Sequence, residues 1–241
     1  MKKNLNIYDE LNNIVEAMKT PVNIISISEV SGVSTVITDS VEIFNNLCEV
    51  LLLTNGMIVT INDINYQVSN VVNIPSVKSF DITEASAIAE SEWSIGVNFQ
   101  TGTSIEVNEI LNSESGNLNR FPLMWLLPPA NLDYNHLVLD FTVDLTIVFA
   151  HKSNDTDRTV SRINNNFNPI IQPLQALFNK WLQSSDYYHV FEFNGFGKPI
   201  DFDNSDFAFF GNADKTQSVI TTLPTDAKQI EYSLNFKKQY D

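Results

Sequence analysis

Six consecutive residues, Asp201-Phe202-Asp203-Asn204-Ser205-Asp206, carry the densest run of oxygen ligands in the chain, the chemistry a calcium loop needs. An EF-hand loop also requires glycine at its sixth position, for the sharp turn, and glutamate at its twelfth, for bidentate ligation. Asp206 and Asn212 stand there instead. The segment reads as a solvated turn, with a weak cation site as the lesser alternative. Asp140 and Asp144 form a second acidic pair. Four residues of extended strand span about 13 Å, beyond the ~5–9.5 Å over which two carboxylates share a glycosidic bond. They read as charges on a wetted face. His136, His151 and His189 lie singly, without metal-ligand spacing. Asn194-Gly195-Phe196-Gly197-Lys198 runs into Pro199 and strand-like sequence rather than a helix start that would hold a phosphate, and reads as a turn. The sequence contains no Gly-x4-Gly-Lys loop and no Gly-x-Ser-x-Gly elbow. No catalytic, cofactor or metal site is expected, although an active site assembled from distant residues stays open.

The elements that would position these groups follow from hydrophobic spacing. Ile7, Leu11, Ile14, Val15 and Met18 form one stripe at helical period. With Asn6 as cap and Pro21 as stop, they predict a helix over about residues 6–19. Short β segments follow. Val22–Val30 and Val33–Thr38 flank Ser31-Gly32, and Tyr66–Val72 follows the polar Asn62-Asp63. Leu51–Leu53 and Met57–Ile61 flank Asn55-Gly56, a strong hairpin signal, so these two are expected to pair. Trp93, Ile95, Val97 and Phe99 alternate as one strand that turns at Thr101-Gly102 into Thr103–Val107, and Ala85–Ala89 fits a short helix. The region reads as an antiparallel sheet or small barrel. The polar run 112–120 is the best boundary. It divides the chain into an N-terminal helix (1–21), a β-rich insertion (22–111) and an α+β core (112–241).

In that core, Phe121–Pro129 is an apolar strand bracketed by prolines. Leu137, Leu139, Phe141, Val143, Leu145, Ile147 and Phe149 then occupy every odd position, which means a strand with one dry and one wetter face. At ~3.3 Å per residue this ribbon extends about 43 Å, well past the common 5–6 residues. It needs an equally long partner, in its own chain or in a neighbour. Arg158–Leu182 returns to helical spacing, and Pro169 and Pro173 predict two pieces with a kink. His189–Phe193, Phe207–Phe210 and Ile230–Phe236 complete the strands. The expected fold class is α+β: an antiparallel sheet with long strands packed by helices, plus an inserted small β domain.

Bulk composition narrows the function. Of 241 residues, 43% are apolar and 18% charged, so a folded core is affordable and disorder is not expected. The net charge of −15, with Arg120, Arg158 and Arg162 the only arginines, argues against tight binding to nucleic acid, which needs a basic footprint. Cys48 is the single cysteine and sits in an apolar run, as a buried free thiol would. No signal peptide or membrane span is expected, since runs such as Val50–Leu53 are far short of the ~20 residues required.

Arg120-Phe121-Pro122-Leu123-Met124-Trp125-Leu126-Leu127-Pro128-Pro129, the alternating ribbon after it and the proline-containing helix over 158–182 together resemble the tail-completion and connector-ring proteins of tailed bacteriophages. The likeness is nearest to the tail-ring proteins of crAss-like phages. Trp93–Phe99 with Thr101-Gly102-Thr103 fits it too, and it covers roughly residues 90–241. The resemblance implies a virion protein of the neck or tail, made in the host bacterial cytoplasm. It implies a homo-oligomeric ring, sixfold or twelvefold, below the portal and touching neighbouring tail or ring proteins. DNA would pass without specific binding, and no membrane is involved. It carries over no catalytic residue, cofactor or metal. Phe121, Pro122, Trp125, Asp140, Asp144, Phe207, Phe209 and Phe210 become candidate subunit-contact or channel-facing positions, the aromatics because interfaces are enriched in them. The long ribbon would then find its mates in symmetry-related subunits. The alternative is an adhesin or carbohydrate-binding module, which would expose Trp and Tyr on one face.

Overall fold

The computed structural model describes residues 7–44, 50–83, 92–103, 121–134, 141–153, 159–184, 188–190, 206–210 and 225–236. At 7, 10, 44, 50, 128–134, 141–144, 183–190, 206–210 and 233–236, within those bounds, it describes the backbone alone. The chain is a mixed α+β fold: a six-stranded antiparallel barrel, a six-stranded sheet, a two-stranded ribbon and helices.

Helix α1 (Ile7–Met18) buries Leu11, Ile14, Val15 and Met18, four of the five residues of the predicted stripe. The barrel follows, built from β1 (Val22–Val30), β2 (Val33–Thr38), β5 (Ile58–Ile61), β6 (Ile64–Ile74), β7 (Val77–Thr83) and β8 (Glu92–Ile95). Its order is β1-β2-β7-β6-β5-β8. Two-residue turns set the registers. Ser31-Gly32 (φ 54° and 79°) and Asn62-Asp63 (φ 51° and 57°) are left-handed at both positions. That conformation matches strand twist, and it pairs Val30 with Val33 and Ile61 with Ile64. Inside, Phe80 meets Trp93 edge-on at 5.4 Å, and the Trp93 indole donates to Thr38 Oγ1 at 2.9 Å. Pairing of Val22 with Trp93 joins β1 to β8 and closes the ring of strands.

The hairpin expected about Asn55-Gly56 does not form. β4 (Val50–Leu52) pairs with β3 (Glu42–Phe44), while β5 pairs with β6 and β8. The Leu53 N–H bonds the Val41 carbonyl at 2.8 Å and lengthens the β3–β4 ribbon, so that edge is already taken. Asn55-Gly56 still turns the chain, but against β6. The Gly56 N–H donates to the Val68 carbonyl, and Asn55 Oδ1 accepts the Val71 N–H at 3.0 Å. These bonds meet a bulge between Ser69 and Val72 in which Asn70 is left-handed (φ 48°).

The single strand expected over Trp93–Phe99 is two. The chain leaves the barrel after β8 and enters the second sheet as β9 (Asn98–Thr101), parallel to β10 (Leu123–Tyr134). Gly96 makes the crossing. Its N–H donates to the Ile58 carbonyl at 2.9 Å, and a Cβ there would lie 2.7 Å from Ile58 Cγ2. The sheet order is β12-β14-β11-β10-β9, with β13 also on β14. Here β11 is Phe141–Lys152, β12 Tyr188–Val190, β13 Asp206–Phe210 and β14 Thr225–Phe236. Pro128 and Pro129 fall where the β10–β11 register shifts, between Leu127 and Asn131, the irregular position at which a missing N–H is tolerated.

From Phe141 on, the long alternating ribbon is the sheet's central strand, and over that described length, contrary to expectation, it does not rely on other subunits for its pairing. Every residue of β11 pairs with β14, and most of its length also pairs with β10. Both of its edges are met within the chain; residues 137–140 lie outside those described. Nor is one face wet along its second half. Leu145, Ile147 and Phe149 face the helices, while Val148 and Ala150 join Phe121, Leu123, Trp125 and Ala227 in a second buried cluster.

Prolines 169 and 173 do not split the long helix. α2 (Thr159–Arg162) runs into a π-helix (Ile163–Ile171) and then α3 (Gln172–Ser184) without a break. The wider π turn places Pro169, which lacks an N–H and crowds a carbonyl in α geometry, inside a continuous helix. Phe167, Ile171, Leu174, Leu177 and Phe178 cover the sheet, and Phe178 packs edge-on against Phe149 (5.9 Å) and Tyr232 (5.7 Å). One apolar core thus runs through α1, the barrel, the sheet and this helix.

Candidate functional site

Where β11 ends and β14 begins, the sheet carries a buried polar cluster on its helix-facing side. Cross-strand register sets Asp226 opposite His151. Residues directly opposite share a face, so both meet the helix that covers it. Asp226 is fully buried and forms an ion pair with Arg162 of α2, whose Nε donates to Oδ1 at 2.5 Å. Asn166 Nδ2, one turn on, donates to Oδ2 at 2.6 Å and reaches the Lys152 carbonyl at 3.3 Å. A charge taken out of water needs such pairing and hydrogen bonding. The His151 ring is half-buried and lies edge-on to Phe121, 6.0 Å between ring centres. His151 Nδ1 and Ser153 Oγ are enclosed without a hydrogen-bond partner among the described residues. Burial lowers the His151 pKa to about 4, with nearby Asp226 opposing and Lys152 adding to the shift.

A second place of interest is the seam between barrel and helix. Gly56 (φ 92°) approaches so near that an added Cβ would lie 2.6 Å from Pro169 Cβ. Asn65 Nδ2 of the barrel donates to the Phe121 carbonyl at 2.8 Å, and Asn98 N–H bonds the Pro122 carbonyl at 2.8 Å. A small apolar crevice, with an empty volume of about 240 Å³ including its open mouth, is lined there by Met57, Ile58, Gly96, Pro122, Pro169 and Pro173. The seam holds the two β structures together. It offers few polar groups for chemistry.

Among the described residues, the positions singled out in the sequence do not gather into one polar site. Phe121, Pro122 and Trp125 are buried in the chain's own interior, and the Trp125 indole donates to the Gly102 carbonyl at 2.9 Å. Their side chains are committed to a core, so they are not carried forward as contact residues. Asp144 sits in β11 between Asn131 and Ser233. Asp140 lies outside the described residues, as do Asp201–Ser205, His136, Cys48 and the 194–198 turn. Phe207, Phe209 and Phe210 are in β13, opposite Lys228, Asp226 and Thr225. His189 is in β12. Of the two described histidines, His151 stands in the Asp226 cluster. Sequence reasoning missed Arg162, Asn166 and Asp226, for which the available sign was an arginine inside an otherwise apolar helical stripe.

No described group of His, Cys, Asp and Glu side chains has the geometry of a metal site. Comparison with protein-family models, with curated proteins and with solved structures finds no match to this chain.

Proposed function

We propose that the chain is a structural subunit of a tailed-bacteriophage neck or tail. It would form a homo-oligomeric ring below the portal that joins head to tail and braces the DNA channel, without catalysing a reaction. The observation that carries this reading is the meeting of the stretches behind the resemblance. β10, the ribbon of β11 and the proline-containing helix fold against one another as a single sheet-and-helix body. The net charge of −15 favours passage of DNA without adhesion.

Contacts with neighbours are best sought on the barrel. Seven of the eleven exposed large apolar side chains among the described residues lie on it, with Val30 at 72% exposure, Ile25 at 63% and Ile74 at 49% foremost. A carbohydrate-binding role fits less well, because Trp93 and Trp125, which would serve as stacking platforms, are buried. Light scattering and negative-stain microscopy on the purified chain, alone and mixed with portal and tail proteins of a tailed phage, test the proposal. Closed rings of one diameter are expected. A monomer under every one of those conditions overturns it.

A further inference from the structure

We propose that the Asp226 cluster is an acid-sensitive latch: it holds α2 and the start of the π-helix on the end of the sheet, and protonation of His151 releases this arm while the barrel and the sheet stay folded. The arm is unlike the rest of the helix. α2 buries none of its four residues, and Val160 (68%) and Ile163 (41%) point to solvent. Its start is held down by polar bonds, from Arg162 and Asn166 to Asp226 and from Asn166 to the Lys152 carbonyl. From Phe167 onward the helix is anchored by apolar burial instead, through Ile170, Ile171, Leu174 and Phe178. Freeing the arm therefore uncovers little apolar surface.

The charged groups around His151 give the direction of the switch. Asp226 faces it from β14 and is already bonded by Arg162 and Asn166. Arg162 comes from α2, Lys152 is adjacent on β11, and Lys228 lies two residues along β14 on the same face. Phe121 covers the ring, and Phe209 of β13 stands opposite Asp226, neither of them titratable. A proton on His151 would thus enter a desolvated site beside Lys152, where the favourable pull of Asp226 is outweighed by burial and Nδ1 lacks an acceptor among the described residues. The closed form keeps His151 neutral down to about pH 4, whereas an opened, hydrated imidazole titrates near its ordinary value of about 6.5. Over that window the open form binds the extra proton. Opening is therefore favoured about tenfold per unit of falling pH, levels off below about pH 4, and gains roughly a hundredfold or more in total.

Native-state hydrogen exchange on the full chain between pH 7.5 and 4.5, corrected for intrinsic rates, tests the latch. The amides of residues 163–167, the first with acceptors inside the helix, should lose protection by about tenfold per unit below pH 6.5, while those of β7 and β11 hold theirs. His151→Gln should flatten that dependence, and Asp226→Asn should open the arm at every pH. Equal protection of arm and strands throughout, or an unchanged slope in His151→Gln, overturns the proposal. Should the variants not fold, the unmodified chain still decides, since parallel loss from arm and strands also overturns it.

Discussion

At the scale of single residues, the Asp226 cluster should behave as buried ion pairs do. Arg162→Ala leaves a fully buried carboxylate that still accepts from Asn166, and should destabilise the fold by up to about 3–5 kcal/mol in denaturant melts, less to the extent that the arm opens and lets water reach Asp226. Arg162→Met combined with Asp226→Leu removes both charges and should cost clearly less than the two single changes added together. Trp125 separates core from interface: Trp125→Ala should destabilise the isolated chain by about 3–5 kcal/mol, rather than leave a normal subunit that fails to assemble. These assignments show the limit of reading side chains from sequence. That Phe121 and Trp125 avoid water follows from their chemistry, but whether they meet their own chain or another does not, because one composition serves both ends. Asp226 and His151 are neighbours only through a strand register spanning 75 positions (226 minus 151), which no local pattern encodes.

Elements were legible where geometry is local. α1, β1 and β2 follow the expected bounds because a helical stripe and a two-residue turn depend on neighbours in the chain. Asn55-Gly56 misled because a turn dipeptide fixes a reversal without choosing which strands will pair. The break at Gly96 was hidden for a related reason: β8 and β9 continue one alternating pattern while serving two sheets. Pro169 was visible, but its accommodation in a π turn depends on how the helix lies over the barrel. That contact makes a prediction. Gly56→Ala forces an L side chain into a left-handed backbone and drives its Cβ toward Pro169 Cβ, and should cost about 2–4 kcal/mol. In a Pro169→Gly background the steric share disappears while the backbone share stays. The same change should then cost about 1–2 kcal/mol less, a coupling read from a double-mutant cycle in urea.

For the molecule as a whole, the position of β11 changes how a ring would have to be built. Over residues 141–150 the ribbon is paired along both edges inside its own subunit and cannot join subunits by strand addition. In the barrel, β1 meets β8 only at Val22 and Asn23, so the far end of β1 keeps one edge free of that strand. The outer strands described in the sheet are short: β9 has four residues, β12 three and β13 five. In the proposed ring the sheet offers only short ladders, so side chains should supply much of the contact, and the barrel's exterior, the far end of β1 included, is where apolar side chains stand exposed. Val30 and Ile74 are suited to a test, since neither is buried and a charge at either leaves the interior untouched. Val30→Glu with Ile74→Glu should shift folding stability by no more than about 1 kcal/mol, as surface changes do. It should nevertheless reduce the assembled fraction at least tenfold in light scattering at fixed concentration, equivalent to about 1.4 kcal/mol of lost contact energy. Assembly that persists unchanged in this variant would move the contact off the barrel and onto the sheet-and-helix body.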